Sequence, residues 1–238
     1  VKRVVIYGFS LIVLCFSIVA DVGSGSNEEE AKATPFTKVV LAEEIQLDVP
    51  LLNQMDEPRL FNGCEVTSLA MLLQYWGINV TKNQLAEQIP RVPLQYGDGK
   101  NGNPNMGFAG NMEDGPGLGV YHGPIFYLAN THIPNDLMVQ NLSNYPFSSI
   151  LEKVSQGLPV WVITTTDFAP IQSFQTWSTP QGSVRVSFNM HSVVITGYDQ
   201  NHIYLNDPYG TKNKQVNREK FIAAWEQMGS QAIVIAPK

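Results

Sequence analysis

Apolar residues recur at helical spacing through Val66, Leu69, Ala70, Leu72, Leu73 and Trp76, and Gly77 directly after them supplies a stop. The pattern predicts a helix of about three turns that starts at Cys64. Thr81 reads as the N-cap of a second short helix over Lys82–Gln88, closed before Pro90. Between Tyr96 and Gly123 the rhythm stops and Gly, Asn, Asp and Pro dominate, so this stretch reads as a long loop and a candidate wall of a substrate cleft. Beyond Pro146 the pattern predicts a helix over Ser148–Gln156 and a β-branched strand over Val160–Thr165. Further strands are expected over Val184–Phe188, Ser192–Tyr198 and His202–Leu205, then a helix around Glu219–Met228 and a closing strand over Gln231–Ile235. A leading helix followed by a mostly antiparallel sheet is an α+β arrangement. No internal repeat is visible, which excludes solenoids and propellers.

The N-terminus follows another logic. Val1, Lys2 and Arg3 precede an apolar run from Val4 to Ala20, the layout of a secretory signal or a retained signal anchor over residues 1–20. Residues 21–44, rich in Gly, Ser and Glu at their start, read as a flexible linker, and 45–238 as one domain. Cys15 raises the alternative of a lipoprotein signal, although Leu14 before it is not the small residue such a signal uses. Cleavage near Ala20, lipidation at Cys15 and retention as an anchor stay open. Each places the domain outside the cell or on its surface, with membrane contact only through this segment.

Charge and cysteine content narrow the classes. Lys and Arg total 15 against 21 Asp and Glu, a net charge of −6 without a basic cluster in the domain, which argues against nucleic acid. The chain has two cysteines, and with Cys15 in the apolar run the domain has no disulfide framework. No Cys or His pair has zinc-ligand spacing and no calcium loop is present, so neither metal nor cofactor is expected. A monomer is expected.

Cys64 is then a lone thiol at a helix start, where backbone N–H groups and the helix dipole favour the thiolate. A nucleophile needs a base. Of His122, His132, His191 and His202, the best placed is His191, held by the apolar strand Ser192–Ile195, whereas His202 opens a hairpin strand. Asp207, 16 positions further on, ends the strand Ile203–Leu205 and could orient the imidazole after the turn Asp199–Asn201. Asn206 is the rival orienter; adjacent strand residues face opposite sides, so only one of the two can point at His191.

The string Asn62-Gly63-Cys64-Glu65-Val66-Thr67-Ser68-Leu69-Ala70-Met71 resembles the nucleophile motif of the bacterial peptidase C39-like family, a branch of the papain-like cysteine peptidases. Leu47-Asp48-Val49-Pro50 with Asn53 and Gln54, the stretch His191–Asp199 and the stretch Leu205–Gly210 are similar to further pieces of that family. The resemblance implies a papain-like fold, with a nucleophile helix packed on a mostly antiparallel sheet. It also implies Cys64 as nucleophile, His191 as general base and acid, Asp207 as orienter and Gln54 as oxyanion-hole donor beside the Cys64 backbone N–H. Gln54 stands ten positions before the cysteine, a longer gap than in most papain-like enzymes. Glu65 departs from the wider family, which commonly has Gly there; a carboxylate so placed raises the thiol pKa while suiting the helix dipole.

The implied activity is a surface or exported thiol hydrolase cutting a peptide or cell-wall peptide through an acyl-enzyme. A catalytically silent peptide- or wall-binding module of the same fold, and a thiol acyltransferase or transpeptidase, are the alternatives. Tyr121, Phe126 and Trp161 are candidate pocket walls, with core packing as the other reading.

Overall fold

The computed structural model describes residues 41–238, so the expected signal segment, Cys15 and all but the last residues of the expected linker lie outside the described residues. The described chain opens with β1 (Ile45–Gln46), followed by α1 (Cys64–Tyr75) and α2 (Lys82–Gln88). Three short strands come next, β2 (Arg91–Val92), β3 (Phe108–Gly110) and β4 (Gly117–Gly119), and lead into α3 (His122–His132). Then follow β5 (Leu137–Asn141), α4 (Phe147–Ser155), β6 (Val160–Thr165) and the two-stranded ribbon β7 (Gln175–Thr179) and β8 (Gly182–Val186). The chain closes with β9 (Met190–Tyr198), β10 (His202–Asp207), β11 (Thr211–Asn217), α5 (Arg218–Gln227) and β12 (Ala232–Pro237).

The main sheet has seven strands in the order β11-β10-β9-β6-β12-β5, with β1 also on β9, and all its pairings are antiparallel. Its central strands are apolar almost throughout because both faces are covered. Trp161 and Ile163 of β6, with Ile233 and Ile235 of β12, pack in the core beneath α1, α2 and α3. Their neighbours Val160, Val162, Ala232 and Val234 face the other way, into the core beneath α4 and α5.

Helix α1 is buried from Cys64 through Leu73, all round and not along one stripe, which makes it the inner helix of its layer. Each fully buried leucine on it contributes roughly 2 kcal/mol of transfer free energy. Gly77 ends the helix at φ +75°, a left-handed turn that lets the Ile78 N–H reach the Leu73 carbonyl at 3.1 Å. Thr81 caps α2 with a reciprocal Gln84 bond.

Two expectations need correction. The stretch from Tyr96 to Gly123 is not structureless: β3 and β4 pair within it and join β2 in a small sheet of its own. The strand expected over Val184–Phe188 is β8 and ends at Val186. Helix α3, which begins His122-Gly123-Pro124, and strand β11, polar at most positions, carry weak apolar rhythm and had no sequence forecast.

Candidate active site

Cys64 is the first residue of α1, and Gly63 at the N-cap brings no side chain to compete for the free N–H groups of the first turn. The thiol is 8% exposed and gives its hydrogen to Glu65 Oε2 at 3.3 Å. A backbone hydrogen bond from Ser192 favours its ionised form. Burial, and after it the charge of Glu65, push the Cys64 pKa well above the ordinary thiol value. The helix terminus alone therefore does not make a thiolate; a proton partner has to.

The candidate for that partner stands next to Ser192. His191 is the second residue of β9, paired in register with Thr164 of β6, and is 2% exposed. Its Nε2 meets Asp207 Oδ1 at 3.0 Å, so Nδ1 is the nitrogen left for exchange with a thiol. The Tyr209 ring stacks on the imidazole with centroids 5.1 Å apart, and Phe168 lies tilted at 6.0 Å. Ring orientation is thus held by an aromatic neighbour as well as by the carboxylate.

Asp207 ends β10, where the pairing with β11 slips between Leu205 and Asp207. Oδ1 also accepts the Tyr209 N–H at 3.1 Å, and Oδ2 accepts Lys214 Nζ at 2.9 Å. Burial pushes this carboxyl up, but the hydrogen bond and charge of His191, the Lys214 bond and the Tyr209 N–H outweigh it and hold Asp207 well below the usual carboxylate range. Asn206 points elsewhere: its amide donates to the Val49 and Pro50 carbonyls at 3.0 and 3.2 Å, and its oxygen accepts the Asn213 N–H. Of the two rival orienters, Asp207 is the one beside His191.

Gln54 is tied to the same corner through its backbone, whose N–H donates to the Pro208 carbonyl at 2.7 Å. Its side chain is 1% exposed, with Nε2 directed at the Phe61 and Leu60 carbonyls at 2.8 and 3.2 Å and Oε1 without a partner. Both amide hydrogens are therefore spent on the loop before α1, and donation to an oxyanion requires one to be released.

One residue that the sequence did not assign, Lys214, gains a place at the site. Lys214 sits on Asp207 and 4.6 Å over the Phe168 ring; its strand β11 has too little apolar alternation to be read in advance. Glu65 is 1% exposed, and its Oε1 accepts the Val120 N–H at 2.8 Å. Burial pushes its carboxyl up to about 7, against the Val120 N–H, its own backbone N–H and the Cys64 thiol. Trp161, a candidate pocket wall, is fully buried and donates its indole N–H to the Glu65 carbonyl at 3.0 Å, so it is a core residue that fixes α1. Tyr121, whose hydroxyl is pushed up to about 12 by burial, borders a cavity of about 250 Å³ shared with His122, Phe174, Arg185 and Gln231. Among the described residues no group of three His, Cys, Asp or Glu side chains is arranged to hold a metal ion.

Comparison with known proteins places this geometry. Residues 46–233 match the family model described as the Peptidase_C39 like family. The chain is 54% identical over 189 residues to the uncharacterized protein YvpB of Bacillus subtilis (strain 168), covering 79% of this chain and 75% of that protein. It is also similar to the crystal structure of a C39-like protein from Bacillus anthracis, with a TM-score of 0.78 and 44% identity over 83% of this chain and 99% of that one. The α+β fold, with a cysteine-bearing helix packed on an antiparallel sheet, is papain-like. Because the match runs from the strand that opens the main sheet to the strand that closes it, the chain belongs to the Peptidase_C39 like family.

Proposed function

We propose that the protein is a cysteine hydrolase that cuts a peptide or related acyl bond with Cys64 as nucleophile, His191 as base and acid, and Asp207 as the group that orients the imidazole. The observation that carries this reading is the buried His191–Asp207 pair at 3.0 Å, set beside the helix-borne thiol by the Ser192 backbone bond. The thiol proton passes to His191 as sulfur attacks the carbonyl carbon. The imidazolium then gives that proton to the departing amine, leaving a thioester. Water, deprotonated by His191, opens the thioester and returns the thiol. Asp207 keeps Nε2 protonated throughout, and Lys214 keeps Asp207 ionised. The basic and apolar N-terminal run supports an exported or surface-held enzyme, with peptides or cell-wall peptides as the accessible substrates.

A silent binding module of the same fold is favoured by two observations: the neutral thiol and the committed amide of Gln54. An electrophilic thiol probe applied to the full chain from mildly acid to neutral pH separates the readings, with labelling read on the Cys64 peptide so that Cys15 does not contribute. Labelling faster than a free cysteine, lost in His191→Ala, together with cleavage of a peptide library that Cys64→Ala abolishes, supports the hydrolase. Labelling no faster than a free cysteine sinks it and leaves the binding module.

A further inference from the structure

Glu65 has the geometry of a group acting directly on the nucleophile. One carboxylate oxygen receives the Cys64 thiol hydrogen and the other receives the Val120 N–H, so the side chain bridges α1 to the segment between β4 and α3. Gly119, at φ +125°, leaves the space it occupies: a β-carbon there would lie 2.1 Å from Glu65 Oε1 and 2.2 Å from Met190 Cε. No Lys or Arg pairs with this buried carboxyl among the described residues. Burial without a cation is what raises its ionisation to about 7.

We propose that Glu65 is a proton gate on the nucleophile: ionised, it takes the thiol hydrogen and holds Cys64 neutral, and protonated, it donates to the Cys64 thiolate while His191 carries the thiol proton. This rests on Cys64 and His191 being the reacting pair. With Glu65 ionised, the one proton that the three groups exchange is on sulfur, and His191 keeps its Nε2 hydrogen. Uptake of one proton from solvent at Glu65 removes the like charge, and the thiol hydrogen moves to His191. The active form then holds two protons, one on the carboxyl and one added to the imidazole, with sulfur as thiolate. Two adjacent anions in a dry site do not coexist cheaply, so the gate opens toward acid and closes as pH rises.

The groups around Glu65 agree with that sense. Tyr209, from the turn between β10 and β11, stays a neutral phenol, since burial and then the charges of Cys64, Asp207 and Glu65 push its pKa up. β9 contributes Met190, whose Cε borders the same space as Glu65 Oε1, and β6 contributes the Trp161 indole, which donates to the Glu65 carbonyl; the Asp207 carboxylate of β10 is occupied by His191 and Lys214. The positive charge that balances the thiolate is then the His191 imidazolium, itself held by Asp207.

The test is the iodoacetamide alkylation rate of Cys64 against pH in the full chain, for wild type, Glu65→Gln and His191→Ala, read by mass spectrometry on the Cys64 peptide. Glutamine keeps the acceptor for the Val120 N–H and puts an amide donor where the other carboxylate oxygen accepts the thiol hydrogen, as the protonated carboxyl would. Wild type is expected to lose reactivity several-fold as pH rises through neutrality and to regain it only when the thiol ionises against the charged carboxylate. Glu65→Gln is expected to rise once and stay high. Superposable wild-type and Glu65→Gln profiles, with reactivity still dependent on His191, overturn the gate and leave the nucleophile reading standing. Insensitivity to His191→Ala removes the nucleophile reading itself, and the gate with it. Should Glu65→Gln fail to fold, infrared difference spectra of wild type and Cys64→Ala decide. A buried carboxylic C=O band that vanishes near neutral pH in wild type, and persists to higher pH without the thiol donor, supports the gate; no such band overturns it.

Discussion

Two buried carboxylates flank the candidate nucleophile and base, and they have opposite fates. Asp207 is 3% exposed and receives hydrogen bonds from His191, Lys214 and the Tyr209 N–H, which hold it ionised far into acid. Glu65 is 1% exposed and has one backbone N–H and one thiol hydrogen, so burial carries its ionisation up to about 7. The difference shows that burial alone does not set a carboxyl's charge; the number and charge of its donors do. Asp207 is built as a permanent anion that orients a ring. Glu65 is built as an anion that can be discharged.

The strongest way to break the comparison is to remove the satisfied carboxylate. Asp207→Ala leaves His191 and Lys214 facing an apolar hole, and the expected loss is roughly 3–5 kcal/mol in urea unfolding, together with thiol reactivity that falls toward that of His191→Ala. Stability near that of wild type would show that the pair contributes no net energy and that Asp207 serves orientation alone.

Removing Glu65, which has fewer donors and no charged one, is expected to do the reverse, and only at high pH. Because the folded pKa of Glu65 lies above its ordinary value of 4.5, its favourable state is complete in acid and is lost as pH rises through about 7. Glu65→Gln should therefore gain about 3 kcal/mol on wild type at about pH 8 and almost nothing at about pH 4. A constant difference across that range would mean that the carboxyl does not titrate between folded and unfolded states as described.

The smallest effect sharpens the contrast. Lys214 is more than a third exposed, so solvent screens its pair with Asp207, and Lys214→Met should cost about 1 kcal/mol near neutral pH. The depressed pKa of Asp207 gives stability that is present above the unfolded value and lost as pH falls through the folded one. Without Lys214 that acid loss should be smaller and end at a higher pH, so that wild type and Lys214→Met converge in urea unfolding followed down to about pH 3. An unshifted acid limb would assign the depression to His191 and Tyr209 alone.

Much of the architecture could be read from local pattern. The apolar spacing before Gly77 placed Cys64 at a helix start, Thr81 announced α2, and β-branched density marked β6 over the same residues the structure shows. Where elements are short or glycine-rich the pattern failed. β3 and β4 have three residues each, and their apolar positions Phe108, Ala109 and Leu118 are too few to stand out among Gly, Asn and Pro. Their burial comes from being pressed against other layers, which no window along the chain reports.

The same division runs through the site. By itself the sequence determined a helix-borne cysteine, a histidine at the head of an apolar strand, and the restriction that only one of Asn206 and Asp207 could face it, because strand side chains alternate. The tertiary structure decided which one, through the β10–β11 slip and the Val49 and Pro50 carbonyls that take up the Asn206 amide. It alone also decided that Lys214 sits on Asp207, that both Gln54 amide hydrogens go to loop carbonyls, and that Glu65 is sealed in without a cation among the described residues. Local pattern reports which residues recur together along the chain. The charge state of a buried group depends on donors and solvent exclusion supplied by residues from distant parts of the chain, and only folding brings those together.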